Sequence, residues 1–231
     1  MDTLIIVAGG RGARLGTVEN KVYAQLEGRP LLWYPLSAAA HFEKAVRVVI
    51  VTRPEDEEVA AAVAAEFPDL ETHLAFGGAT RHHSERAGLE RTAAMVDGDD
   101  LIGVQDGARP FLSVDLWRSC AAAALATGGA IPVLEAPGLY RLNGDVLSPV
   151  PSGGVRAQTP QVFRAAGLLA AFANSTGPAA DTAETIMRHG ALQIAAVPGD
   201  RRNIKVTFPP DLERATELAK VWRAGRWLTP A

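Results

Sequence analysis

The residues with the clearest chemical potential lie near the start of the chain, at positions 4–21 (LIIVAGGRGARLGTVENK). A short apolar run leads directly into glycines, and Arg11, Arg14 and Lys21 lie among and after them. Glycine lets a ligand approach the backbone closely, and exposed N–H groups before a helix bind anions. The stretch indicates a phosphate-binding loop. An ordinary strand-to-helix turn is the alternative, but such a turn has no need of three cations.

This loop matches neither of two common nucleotide-binding motifs. A P-loop requires Gly-Lys-Ser/Thr, which does not follow here. The dinucleotide fingerprint fits Gly10 and Gly12 but finds Leu15 where its third glycine belongs. The loop is therefore identified as phosphate-binding by its chemistry rather than by a motif.

A second glycine cluster, residues 77–84 (GGATRHHS), precedes a predicted helix. It offers close backbone approach, a cation at Arg81 and a hydroxyl at Ser84, which suits a base or ribose. A turn with a serine cap is an equal alternative. His82 and His83 have no metal-ligand partner at helical spacing, so a solvent-exposed pair is favoured over a zinc site.

Three further charged groups could face a ligand. Asp106, in 106–110 (DGARP), follows a predicted strand and could meet a magnesium-bound nucleotide or a substrate hydroxyl, or simply pair with Arg109. Lys205 lies in a predicted strand over 204–208, either at a sheet edge or pointing into a cleft. Asp181 and Glu184 lie one helical turn apart, where a solvated helix start is favoured over a ligand contact.

Composition limits the class of protein. The chain has 231 residues, 48% of them hydrophobic, which predicts a single domain over 1–231. A net charge of −3 argues against nucleic-acid binding. The lone Cys120 cannot form an internal disulfide, and no apolar run approaches the ~18 residues of a membrane span. Residues 1–7 have neither the basic leader nor the long apolar run of a signal peptide. We therefore expect a cytoplasmic protein with no membrane partner.

The elements that must position these side chains alternate between strands and helices. This alternation predicts an α/β fold with a doubly wound, mostly parallel sheet. Ligands of such sheets gather at the carboxyl ends of the strands, where the polar clusters fall. Strands are predicted over 4–7, 46–52, 72–76, 101–105, 130–134, 192–197 and 204–208. Helices are predicted over 29–40, 54–67, 83–96, 113–126, 165–174, 179–190 and 210–224, with a loose tail over 225–231.

One segment interrupts the alternation. Asn143-Gly144 between apolar runs is a strong β-hairpin signal, and it predicts a protruding hairpin arm within residues 137–155. A lone hairpin is marginally stable, so it packs either on a second copy of the chain or back on its own core.

Five ordered motifs resemble the 2-C-methyl-D-erythritol 4-phosphate cytidylyltransferase family. They are AGGxGxRL with a downstream lysine, GGxxRxxS, DxARP, QTPQxF and NIKVT, and the resemblance spans residues 4–218. It implies a nucleotidyltransferase-like variant of the Rossmann fold, a homodimer formed through the hairpin arm, and Mg²⁺ as cofactor. It also implies transfer of CMP from CTP to a small phosphorylated acceptor, with release of pyrophosphate.

The resemblance assigns roles residue by residue. The catalytic residues would be Arg14, Lys21 and Lys205, which stabilise charge on the α-phosphate. Asp106 would lie near the metal. The CTP contacts would be Ala8, Gly9, Gly10, Arg11, Gly12, Gly78, Arg81, Ser84 and Asp106. The acceptor contacts would be Arg109, Glu135, Arg156, Thr159 and Asp181.

The departures from the family pattern fall on the half of the site that the resemblance assigns to the acceptor. An Asp-Thr-apolar-Lys element is replaced by Glu135-Ala136-Pro137-Gly138. Pro151 occupies the position of an arginine, which Arg156 could replace, and Ala180 occupies that of a threonine. Asn20 stands where a proline usually precedes the catalytic lysine. The hypothesis that follows is retained CMP transfer, with a possible change of acceptor to ribitol 5-phosphate or a phosphonate.

Other classes of function remain open at this point. A relative could bind CTP without catalysis, although Lys21 and Lys205 argue against that. Another nucleotidyltransferase could use a different base, since backbone contacts that read a base leave no sequence signal. A nicotinamide enzyme is disfavoured by the missing third glycine.

Overall fold

A central twisted sheet organises the chain in the computed structural model, which describes residues 1–10, 20–149, 153–175, 177 and 179–228. Within these residues eight strands form the sheet. They are β1 (Thr3–Val7), β4 (Arg47–Thr52), β5 (Thr72–Phe76), β6 (Leu101–Asp106), β7 (Gly128–Glu135), β10 (Val155–Ala157), β11 (Gln161–Arg164) and β12 (Gln193–Pro198).

The strand order across the sheet is β10-β7-β11-β6-β1-β4-β5, with β12 also paired to β7. Strands β6, β1, β4 and β5 are parallel, whereas β11 and β10 run antiparallel to their neighbours. The predicted doubly wound, mostly parallel α/β fold is confirmed.

The central strands are apolar over most of their length because both of their faces are covered. Successive residues of β1 alternate between two cores. Leu4 and Ile6 enter one core, and Ile5 enters the other.

Helices cover the two faces of the sheet in separate layers. One layer contains α1 (Trp33–Ala39), α2 (Glu57–Ala64), α4 (Val114–Thr127) and α7 (Pro209–Ala219). The other contains α3 (Arg81–Ala93), α5 (Ala165–Asn174) and α6 (Thr182–His189). Cys120 is fully buried in the first core. Burial raises the pKa of its thiol to about 12, as expected of a small core residue.

Three short hairpins stand apart from the sheet. One pairs β2 (Gln25–Leu26) with β3 (Arg29–Pro30). The second pairs β8 (Tyr140–Asn143) with β9 (Val146–Pro149), which confirms the hairpin predicted from Asn143-Gly144. The third pairs β13 (Trp222–Arg223) with β14 (Arg226–Trp227).

The sequence-based boundaries fail in three places. The helix predicted over 29–40 begins only at Trp33, because Arg29 and Pro30 pair with β2. Residues 204–208 form no strand. The helix predicted over 210–224 ends at Ala219, and the tail predicted to be loose over 225–231 includes Arg226–Trp227, which pair with Trp222–Arg223. Trp222 is only 1% exposed and packs against Phe111 and Trp227. Clustered aromatic rings outweigh the local loop signal here.

Among the helices of the described ranges, none is both long and apolar enough to cross a bilayer.

Candidate functional site: a cleft at the strand ends and an adjoining cavity

A cleft of about 540 Å³ opens at the carboxyl ends of four parallel strands. The segments that follow β1, β4, β5 and β6 form its walls, as the rule for open α/β sheets requires. Its lining residues are Val7, Gly9, Gly10, Asn20, Lys21, Val22, Arg53, Pro54, Glu55, Gly77, Gly78, Ala79, Thr80, Arg81, Ser84, Asp106, Ala108 and Lys205. Two glycine segments distant in sequence, 9–10 and 77–78, therefore share one cleft.

The first wall is the opening loop. Ala8 is fully buried, and its N–H donates to the carbonyl of Val51 at 2.7 Å. Gly9, Gly10 and Lys21 line the cleft, as predicted. Arg11, Gly12 and Arg14 lie outside the described residues, so their predicted roles stay predictions.

Asn20 connects the two described ends of this loop. Its Nδ2 donates to the carbonyl of Ala8 at 2.6 Å and to Oδ2 of Asp56 at 2.9 Å. Arg53 holds Asp56 in turn, through Nε at 2.6 Å and a second bond at 2.8 Å. Burial alone would raise the pKa of Asp56, but the bonds from Arg53 and Asn20 lower it below its ordinary value. A buried network thus fixes Asn20, which immediately precedes Lys21.

The second wall is the segment between β5 and α3. A Cβ at Gly77 would lie 2.7 Å from Oγ of Ser84, and one at Gly78 would lie 2.5 Å from Cβ of His83. Only glycine permits this close packing of loop against helix. Thr80 caps α3 by accepting from the N–H of His83 at 3.2 Å. The helix N-terminus is therefore presented at the cleft, where it favours negative charge.

His82 differs from its prediction as half of a solvent-exposed pair. It is 6% exposed and its ring stacks on Phe172, with centroids 5.0 Å apart. Its Nε2 also lies 3.2 Å from Oγ of Ser175. The side chain belongs to the inner face of α3, which packs on α5, whereas His83 is exposed.

The carboxylate of Asp106 is the electrostatic centre of the site. Lys205 Nζ lies 2.8 Å from Oδ2, Arg81 Nε lies 3.2 Å from Oδ1, and Arg109 Nε lies 3.7 Å from Oδ2. Burial would raise the pKa of Asp106, but Arg81 and then Lys205 hold it well below its ordinary range. Asp106 is therefore ionised at neutral pH.

Lys205 reaches this carboxylate from a segment that is extended but belongs to no sheet. The N–H of Val206 donates to the carbonyl of Ala108 at 2.8 Å, and the Val206 side chain is fully buried. A single hydrogen bond to the loop after β6 thus replaces the strand ladder predicted for 204–208. Lys205 stays 42% exposed and faces the cleft.

A second, smaller cavity of about 140 Å³ adjoins the cleft. Its lining residues are Arg81, Asp106, Arg109, Ala157, Gln158, Thr159, Gln161, Ala180, Asp181 and Lys205. Arg81, Asp106 and Lys205 line both cavities and so form a shared wall. This arrangement can hold two anionic ligands on either side of one set of cations.

The predicted acceptor contacts divide into two groups. Arg109, Thr159 and Asp181 line the smaller cavity. Glu135 and Arg156 do not; both are exposed, on the paired ends of β7 and β10. Their roles in acceptor binding remain predictions.

Several residues that shape the site carried no assignment from the sequence. Arg53 and Glu55 line the cleft directly after β4, and charged residues at the end of a buried strand were the available signal. Gln161 bonds both Asp181 Oδ2 and the N–H of Ala183, each at 2.9 Å. Glu85 lies one turn after Arg81, a spacing that indicates a pair.

Comparison with known proteins identifies the family. The family model for 2-C-methyl-D-erythritol 4-phosphate cytidylyltransferase (IspD) matches residues 3–220. The chain belongs to this family. It is 38% identical over 217 residues to the 2-C-methyl-D-erythritol 4-phosphate cytidylyltransferase of Cereibacter sphaeroides, covering 93% of this chain and 95% of that protein.

A longer relative and two solved structures extend the comparison. The chain is 37% identical over 221 residues to a bifunctional IspD/IspF enzyme of Dinoroseobacter shibae. This match covers 94% of the present chain but only 54% of the length of the bifunctional enzyme. The Thermus thermophilus cytidylyltransferase structure matches with a TM-score of 0.73 and 30% identity, covering 96% and 100% of the two chains. An Anaerococcus prevotii structure, at 22% identity and a TM-score of 0.80 over 94% of this chain and 97% of that one, supports the fold alone.

Proposed function

We propose that the protein transfers CMP from CTP to 2-C-methyl-D-erythritol 4-phosphate and releases pyrophosphate. The observation that carries this proposal is the shared wall, Arg81–Asp106–Lys205, between a nucleotide-sized cleft and a smaller cavity. A phosphate bound in the smaller cavity would approach the α-phosphorus of CTP across this wall. Membership of the IspD family supports both substrates.

The chemistry needs positioning and charge neutralisation rather than a protein nucleophile. An acceptor phosphate oxygen attacks the α-phosphorus, the bond to the β-phosphate oxygen breaks, and pyrophosphate leaves with that electron pair. Lys205 stabilises charge at the reacting phosphate from the shared wall, and Lys21 does so from the loop. Asp106, being ionised, can accept hydrogen bonds from acceptor hydroxyls and orients both Arg81 and Lys205.

Magnesium is part of the proposal. Across the described residues, no group of three or more metal-binding side chains occurs, and both oxygens of Asp106 face cations. That donor set fits a magnesium ion held mainly by substrate phosphates, which is usual for this ion, with Asp106 as the adjacent carboxylate. When bound, the ion neutralises triphosphate charge.

We also propose that the protein is a homodimer formed through the arm of residues 137–155. The hairpin exposes apolar side chains, with Tyr140 62%, Leu142 66%, Val146 68% and Leu147 63% accessible. Exposed apolar groups of this density mark interaction surfaces. A second copy could receive the arm and bring Arg156 to the acceptor cavity.

Sedimentation of a charged arm variant tests the dimer. Leu142→Glu should shift the protein to monomer because burying a charge in an apolar interface is costly. Met187→Glu on α6, equally exposed at 67%, is the matched control and should remain dimeric. A native protein that sediments as a monomer would refute the dimer.

Pyrophosphate release with CTP and magnesium tests the reaction. The acceptor panel contains 2-C-methyl-D-erythritol 4-phosphate, ribitol 5-phosphate and 2-aminoethylphosphonate, with Lys21→Ala as the control for dependence on the cleft. We expect turnover of methylerythritol phosphate. Turnover of only another acceptor would mean that the altered segment 135–156 has changed specificity, and CTP binding without turnover of any acceptor would indicate a non-catalytic relative.

A further inference from the structure

A buried carboxylate with no part in the chemistry above lies directly behind the shared wall. Glu85 is 1% exposed on the inner face of α3. Its Oε1 forms an ion pair with Arg81 Nη1 at 2.7 Å and accepts a hydrogen bond from Thr182 Oγ1 at 2.8 Å. These contacts join the start of α3, which borders the nucleotide cleft, to the start of α6, which borders the acceptor cavity.

Stability does not explain this carboxylate. Buried ion pairs often contribute no more to folding than apolar side chains of similar size, because desolvation offsets their attraction. Burial dominates here and raises the pKa of Glu85 to about 7, despite the opposing effects of Arg81 and Thr182. A side chain that is costly to ionise in the fold calls for another role.

The contacts of Arg81 indicate that role. Its guanidinium lies between two carboxylates, with Nη1 on Glu85 and Nε on Asp106. Nη1 also donates to the carbonyl of Ala180 at 3.3 Å. Charges therefore alternate from Glu85 through Arg81 and Asp106 to Lys205, and Glu85 is the one member of this series that lines neither cavity.

We propose that Glu85 is a positioning residue that fixes the Arg81 guanidinium in the wall shared by the nucleotide and acceptor cavities. This inference deepens the proposed function and rests on it for the identity of the two ligands. An arginine anchored by one carboxylate alone could turn toward Asp106 and weaken the pairing of Asp106 with Lys205. Glu85 prevents this by holding the far side of the guanidinium, and Thr182 holds Glu85.

The protonation state of Glu85 makes the inference testable by pH. The groups that face it are Arg81 on its own helix, Asp181 and Thr182 at the start of α6, and Asp106 on β6. Arg81 and Thr182 favour the carboxylate, whereas Asp106 and Asp181 oppose it, so the pKa of Glu85 reflects all four. Positioning requires the ionised form, so it should weaken as the pH falls through about 7.

Calorimetric titration of CTP is the decisive measurement, with Glu85→Gln as the test variant. Glu85→Gln removes the charge that pairs with Arg81, and a coupling of this kind between a buried side chain and a ligand is typically worth about five- to 150-fold, so at about pH 8 the variant should bind CTP about tenfold more weakly than native protein. Near pH 6 native Glu85 is largely protonated, and the ratio of the two Kd values should fall toward one. Ionisation of CTP affects both proteins equally and cancels in this ratio.

Two further variants separate positioning from a structural role. Thr182→Val removes a hydrogen bond that lowers the pKa of Glu85. In this variant the affinity for CTP should therefore begin to decline at a higher pH than in native protein. Glu90→Gln, an exposed acid on the same helix, should leave the Kd unchanged at each pH. The melting temperature of Glu85→Gln at about pH 8 should equal or exceed that of native protein. A carboxylate whose pKa is raised to about 7 lowers stability at a pH where it is ionised, and Arg81 keeps Asp106 as its partner.

The outcomes distinguish this inference from the proposed function. A Kd ratio near one at every pH, or a ratio that does not change with pH, overturns the role of Glu85. Native protein that binds CTP but releases no pyrophosphate with any acceptor overturns the transferase proposal, while the Kd ratio still decides the role of Glu85.

Discussion

The cleft proposed to bind CTP (the nucleotide cleft) and the smaller cavity proposed to bind the acceptor (the acceptor cavity) are built in different ways. The cleft is lined mainly by short segments that each follow a parallel strand, such as 9–10 and 77–81. The acceptor cavity draws on Thr159 in the turn before β11, on Gln161 at the start of this antiparallel strand, on the start of α6, and on Lys205. Among the described residues, only Arg81, Asp106 and Lys205 belong to both.

This difference explains why the two halves depart unequally from the family pattern. Backbone groups at strand ends bind a triphosphate through geometry that the sheet itself provides. An acceptor cavity instead relies on individual side chains from distant segments, and each can change without disturbing the sheet. Ala180, which lines this cavity where the family resemblance predicts a threonine, is such a change. The comparison predicts that variants should separate into those that affect both ligands and those that affect one.

The largest effect is expected at the shared wall. Lys205→Ala removes the cation nearest Asp106 that also faces both cavities. Loss of a group that stabilises transition-state charge should lower kcat by about 10²- to 10³-fold. Pyrophosphate release measures the effect, and Lys220→Ala, an exposed lysine paired with Glu217, serves as the control. A loss confined to the KM of one substrate would contradict a shared wall.

The next effect should be confined to the nucleotide side. Asn20→Ala removes the two hydrogen bonds, to Ala8 and Asp56, that fix the backbone immediately before Lys21. The KM for CTP should rise about tenfold, since buried acceptors lose their donor, while the acceptor KM stays unchanged. Gln25→Ala, on the exposed hairpin nearby, is the control. An equal rise in both KM values would show that the loop serves both cavities.

A smaller effect is expected on the acceptor side alone. Gln161→Met keeps the volume of a 1% exposed side chain but removes its bonds to Asp181 and to the N–H of Ala183. The acceptor KM should rise by about five- to tenfold for two neutral or singly charged bonds, with CTP binding unchanged. The exposed Gln193→Met on β12 provides the matched comparison. Weaker CTP binding by Gln161→Met would contradict the assignment of Gln161 to the acceptor side alone.

The smallest effect should come from Thr159→Val. The Thr159 hydroxyl accepts from the N–H of Asp106 at 3.1 Å and lines the acceptor cavity. Loss of one neutral hydrogen bond should raise the acceptor KM by about threefold. Thr216→Val, whose hydroxyl bonds within α7, should change neither KM. A larger loss, in kcat rather than KM, would mean that Thr159 helps to position Asp106 for the reaction.

Local patterns were sufficient for most of the fold. Continuous apolar runs predicted β1 and β4, and Asn143-Gly144 predicted the arm hairpin, because these signals depend on neighbouring residues alone. The predicted strand over 204–208 was wrong for the opposite reason. Whether Val206 pairs in a ladder depends on what lies beside it, and its partner is Ala108, far away in sequence.

The sequence by itself determined the chemistry available and the place where it collects. Glycines and cations after strands at 9–21 and 77–84 lie at one sheet edge in any parallel arrangement. Only the tertiary structure decided which charges meet. It joined Lys205 to Asp106 across 99 positions and buried Glu85 behind Arg81 against Thr182. Electrostatic pairing depends on distance in space and on burial, and neither is fixed by the order of residues along the chain.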